Sequence, residues 1–178
     1  MHRFNRSLVA QLPLVFGLFG IIACNDSNSP LANPRVSMRD ECEPASFNAA
    51  LGAGACTRNG SMTLAQFNAE LNATHQVAAW QFVPATLTIR RGDAITATND
   101  GGEVHTFTEV AQFGGGIVPS LNQASGNPTE APECTQLAAD DRVAAGATYH
   151  ADLANSVGTE LYQCCIHPWM RAVVTVVN

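Results

Sequence analysis

Lysine is absent from this 178-residue chain; all nine basic residues are arginine. Charged residues of both signs amount to 13%, and the formal charge is -6. Phosphate backbones need a basic footprint, so this balance argues against a nucleic-acid partner. It is compatible with a basic protein partner, although acidic surfaces also simply keep a protein soluble. A spanning hydrophobic segment is missing too. The apolar run from Leu12 to Ala23 is too short for one. It follows His2, Arg3 and Arg6, and this order predicts an export signal over residues 1–23. Loss of Arg3 and Arg6 with that leader takes the formal charge from -6 to -8. No internal repeat is visible, and no acid–base pair or nucleophile set suggests an enzyme.

The leader ends in Ile21-Ile22-Ala23-Cys24, which resembles the lipobox of bacterial lipoproteins. That resemblance implies cleavage before Cys24, a lipid on its sulfur and a membrane tether in the cell envelope. Asn25 follows where some lipoproteins carry an inner-membrane retention aspartate. A periplasmic-side, outer-membrane or cell-surface position is therefore open. Asn25 to Pro34 lacks an apolar period and reads as a flexible linker. Residues 24–74 are expected to form a tethered, disulfide-stapled segment. Its one helical signal is Thr63 to Leu71, with Thr63 as cap and Leu64, Phe67 and Leu71 on one face.

From His75 the pattern changes to short alternating runs: 77–82, 87–90, 94–99, 104–110, 148–153, 160–164 and 173–177. Gly, Asp and Pro separate them, as in Arg91-Gly92-Asp93 and Asp100-Gly101-Gly102. Such spacing predicts an all-β sandwich over residues 75–178. His75 and His150 are read as structural, His75 opening a strand.

Chemistry concentrates in Tyr162-Gln163-Cys164-Cys165-Ile166-His167-Pro168-Trp169-Met170. A thiolate, an imidazole and a thioether lie on one short loop between two extended runs. This mixture suits copper better than zinc or iron, since methionine is a poor zinc ligand. His105 sits in the upstream run Val104-His105-Thr106-Phe107-Thr108. If that run lies beside the loop, the set becomes two imidazoles, one thiolate and a weak thioether, the donors of a blue-copper centre.

These residues carry a family resemblance. Phe82-x-Pro84, Leu87-Thr88-Ile89 into Gly92-Asp93, Asn99 with Gly101-Gly102, and His105-Thr106-Phe107 precede the Cys164-x-x-His167-x-x-Met170 loop. From about Trp80 to Asn178 the chain resembles the cupredoxins of amicyanin and plastocyanin type. The resemblance implies a Greek-key sandwich with one mononuclear type 1 copper at one end. His105, Cys164, His167 and Met170 would be its ligands. Two positions depart from the family pattern. Thr106 stands where the family usually has an asparagine brace, and Ile166 stands where it often has proline. Ile166 restores a backbone N–H, which would stabilise the thiolate if it points at the Cys164 sulfur. A binuclear purple site is disfavoured, because its loop needs cysteines four apart and Cys164 and Cys165 are adjacent.

Adjacent side chains on an extended backbone face opposite ways. Spacing to His167 and the aromatic Tyr162 favour Cys164 as ligand, leaving Cys165 to bridge. With Cys24 lipidated and Cys164 on the metal, four of the six cysteines remain. The expected pairs are Cys42 with Cys56 and Cys134 with Cys165, with crossed pairings left open by sequence. The second pair would staple the long stretch 111–141 to the metal loop, as a cover, a docking face or a plain surface loop. Trp169 is expected on an exposed apolar patch beside His167, where a redox protein would dock. The expected function is single-electron transfer by a monomer. The alternatives are envelope copper storage, delivery or resistance, and a tethered module without physiological metal.

Overall fold

A computed structural model of the chain describes residues 30 and 33–178. The segment expected to be an export signal (1–23) and Cys24, the expected lipid-bearing residue, lie outside the described residues, as does most of the expected linker. Eight strands form two four-stranded sheets: β1 (Arg35–Arg39), β2 (Gln81–Val83), β3 (Thr86–Arg90), β4 (Thr96–Asn99), β5 (Thr108–Val110), β6 (Thr148–His150), β7 (Gly158–Gln163) and β8 (Arg171–Val177). One sheet runs β2-β1-β4-β6 and the other β3-β8-β7-β5. From β2 to β7 every connection crosses between sheets, and the result is the expected all-β sandwich. Period-two burial builds its core. Val36 and Met38 of β1 face inward in one sheet; Leu87, Ile89, Ala172, Val174 and Val176 do so in the other. Phe107 stacks on Tyr162 at 4.4 Å and meets Phe82 edge-on at 5.1 Å.

The boundary expected at residue 75 does not divide the structure. β1 comes from the supposed tethered segment, yet it pairs antiparallel with β2 and parallel with β4 at the centre of a sheet. The reason is visible in Val36-Ser37-Met38: the alternation is short, but both apolar residues are buried. Two helices follow. In α1 (Pro44–Leu51) Glu43 caps the amides of Ala45 and Ser46, and Pro44 starts the first turn. In α2 (Leu64–Thr74) Thr63 and Gln66 form a capping box. His75 ends α2 in the left-handed conformation rather than opening a strand. Val77 to Trp80 is a turn, and the strand expected there starts only at Gln81.

Phe47 and Phe67 from the two helices pack on Trp80, with ring centroids at 5.9 and 4.8 Å. The Cys42–Cys56 disulfide holds the start of this insert. The 111–141 stretch carries α3 (Pro119–Ala124) and a 3-10 turn at Pro132–Gln136. The Cys134–Cys165 disulfide binds that turn to the loop between β7 and β8. Both bridges match the expected pairing.

Candidate metal centre

Three of the expected donors converge at one end of the sandwich. Cys164 leaves β7, and its amide donates to the Met170 carbonyl at 3.0 Å. The Met170 amide donates to the His167 carbonyl at 2.9 Å, closing a tight loop before β8 begins. His105 lies ahead of β5, outside the ladder. It exchanges backbone hydrogen bonds with Val143 instead, which shortens the strand expected over 104–110.

Cys164 Sγ stands 3.8 Å from His105 Nδ1 and 3.9 Å from His167 Nδ1. The three donor atoms lie within 4.8 Å of one another. Metal–sulfur and metal–imidazole bonds of ordinary length would leave such atoms roughly 3.5–3.7 Å apart across one shared ion. The donor set therefore fits a single metal with almost no rearrangement. His105, Cys164, His167 and Met170 are all buried, at 0%, 0%, 3% and 1% exposure. Among the described residues Cys164 is the one cysteine outside a disulfide.

Electrostatics prepare the sulfur. Burial pushes the Cys164 thiol up, but hydrogen bonds and charge from His105 and His167 outweigh it and hold the thiol well below its ordinary range. The amides of Thr106 and His167 point at Sγ from 3.4 and 3.5 Å. The expectation for Ile166 is corrected here: the loop aims the His167 amide, one residue later, at the sulfur. Thr106 makes a side-chain contact with the loop. Its hydroxyl oxygen accepts from the Cys165 amide at 2.8 Å.

Two carboxylates near the site were not legible as site residues. Asp40 Oδ2 is 2.8 Å from His105 Nε2, with both side chains essentially buried. Asp40 also accepts from the amides of Cys42, Gly102 and Glu103. Burial raises the Asp40 carboxyl, yet these donors leave it well below the usual carboxylate range. An ionised carboxylate only accepts, so His105 Nε2 carries the proton. Burial lowers His105, but its contacts with Asp40 and Cys164 push it up to about 9. Glu103 accepts from the Trp80 indole at 2.7 Å and stands 3.5 Å from His167 Nε2. Burial pushes Glu103 up, and the His167 charge pulls it back. The alternation of Val36 and Met38 was the sequence signal that would have carried Asp40 to a strand end.

The region around His167 differs from the expected exposed patch. Phe67 lies 6.4 Å from the His167 ring and 5.9 Å from Trp169, so α2 covers both. Trp169 is half-buried. An apolar recess of about 350 Å³ opens beside His167, bounded by Phe47, Leu64, Phe67, Leu121, Glu103 and His167. The 111–141 stretch clamps the other flank of the loop. Ile117 donates to the Cys165 carbonyl at 2.6 Å, Arg171 reaches Asn127 at 2.6 Å, and the Arg171 guanidinium lies over Phe113.

No protein-family model matches the chain, and no curated protein does. Among solved structures it is similar to a purple cupredoxin from Nitrosopumilus maritimus. The two share 16% identity over 82% of this chain and 100% of the other, with a TM-score of 0.45. An oxidised plastocyanin from Dryopteris crassirhizoma gives 16% identity over 80% and 99%, with a TM-score of 0.41. A reduced amicyanin variant gives 21% over 57% and 78%, with a TM-score of 0.37. Likeness at this level carries no argument about function.

Proposed function

We propose that the protein is a type 1 copper protein that carries single electrons in the cell envelope. The observation behind this reading is one unbridged, buried cysteine sulfur flanked by two imidazole Nδ1 atoms at 3.8 and 3.9 Å. His105, Cys164 and His167 would hold the metal, with the buried Met170 thioether as a further, weaker donor. Copper bound there supplies a one-electron couple. The chain's part is to keep that couple dry and its geometry constant. Burial of the donor residues excludes water, and Thr106 and the amides at Sγ restrain the thiolate. Little ligand movement between redox states means a small reorganisation barrier.

Burial also favours a carrier over a copper store or delivery protein, because handing over the ion would require the insert to open. Electrons would leave through His167 toward the apolar recess, where a redox protein partner would dock close to Trp169. Lipid on Cys24 would tether the monomer to the membrane. Copper loading followed by voltammetry tests this reading. One copper per chain and a fast, reversible one-electron wave are expected. Copper that passes readily to a competing chelator without such a wave would favour storage or delivery instead.

A further inference from the structure

Asp40 is remote from the donors in sequence, yet it is the most heavily hydrogen-bonded carboxylate at the site. It accepts from Cys42, Gly102 and Glu103 amides and from His105. Close approach of the backbone makes this cradle. A Cβ at Gly101 would overlap the Asp40 carboxylate, and one at Gly102 would overlap the Cys42 sulfur. The disulfide at Cys42 fastens the same turn. Among the described residues no arginine pairs with Asp40, so its negative charge is compensated by dipoles and His105 alone.

We propose that Asp40 is the positioning residue of the centre, fixing the His105 ring with Nδ1 toward Cys164 and lowering the reduction potential of bound copper. This rests on the type 1 copper reading. The ring can present only one nitrogen to a metal while the other is held, and the 2.8 Å contact holds Nε2. A full negative charge on the far side of an imidazole makes the ring a stronger donor. It also favours the more positive copper ion through a low-dielectric interior. Cupric copper therefore gains more than cuprous copper. Glu103 plays no equal part, because its 3.5 Å distance from His167 Nε2 exceeds a hydrogen bond.

The test compares wild type with Asp40→Asn, which keeps an acceptor for the Gly102 and Glu103 amides but loses the charge. Copper(II) affinity should fall about 10- to 100-fold. Copper(I) affinity should fall less, and the potential should rise by the corresponding ratio. A folded, blue Asp40→Asn protein with an unchanged or lower potential overturns the role of Asp40 alone. Nitrogen-15 NMR of the wild-type copper(I) protein decides independently if the variant does not fold. A proton on His105 Nε2 with none on Nδ1 supports the proposal, and the reverse overturns it. A wild type that forms no blue copper complex overturns both this inference and the reading beneath it.

Discussion

Thr106 and Cys165 are joined by a 2.8 Å hydrogen bond from the Cys165 amide to the Thr106 hydroxyl oxygen. The Thr106 amide faces the sulfur of Cys164, the residue preceding Cys165, at 3.4 Å. A single residue thus restrains both adjacent cysteines, the one read as a ligand and the one in a disulfide. Thr108 donates to the same hydroxyl at 3.0 Å, so both acceptor sites of the Thr106 oxygen are used.

Replacing Thr106 with valine keeps the shape and removes the acceptor. The buried Cys165 amide is then unpaired, at a cost of about 1–3 kcal/mol. Chemical denaturation of the metal-free protein checks this. Thr106→Ser, which keeps the oxygen, should recover most of the loss. Equal destabilisation by both variants would mean that the methyl group matters and the hydrogen bond does not.

Phe67 is the part of α2 that closes over His167, touching Phe47, Trp80 and Trp169. Truncation to alanine should cost about 3–5 kcal/mol, through lost burial and an unfilled cavity. It should also widen the recess beside His167, so copper loss to a chelator should accelerate. Destabilisation without faster copper loss would show that the ion leaves by another route.

The metal loop was legible because its chemistry is local. Cys164, His167 and Met170 lie within seven residues, and the bridge of Cys165 follows from having two neighbours face opposite ways. His105 was legible through the alternating run that contains it and through the motif resemblance of its surroundings. Asp40 was not, because its partner is 65 residues away and the intervening segment shows no long period. β1 escaped for the same reason: five residues with two inward apolar positions make a weak pattern, although they sit mid-sheet. Trp169 was misplaced because the cover over it comes from α2, and helix-on-loop packing leaves no mark in the local sequence.

Glu109 lies away from the candidate metal centre, on β5. Burial raises the Glu109 carboxyl, and Glu160, Asp152 and Glu133 add to the rise. A carboxyl raised on folding favours the native state while protonated, and that contribution is lost as pH climbs through the folded pKa. Glu109→Gln should therefore stabilise the protein at neutral pH and lose its advantage below the ordinary glutamate range. The side chain is exposed, so the gain is a few tenths of a kcal/mol, up to about 0.5, and smaller in high salt. Stability curves against pH for both proteins, with and without salt, decide the sign.

The account depends most on the Cys164 sulfur being a metal ligand between His105 and His167. Visible absorption on adding copper(II) tests that directly, in wild type and in Cys164→Ser. An intense thiolate-to-copper band in wild type, bleached on reduction and absent from the serine variant, is the predicted result. A wild type that stays colourless with copper(II), or a band that survives in Cys164→Ser, would contradict it.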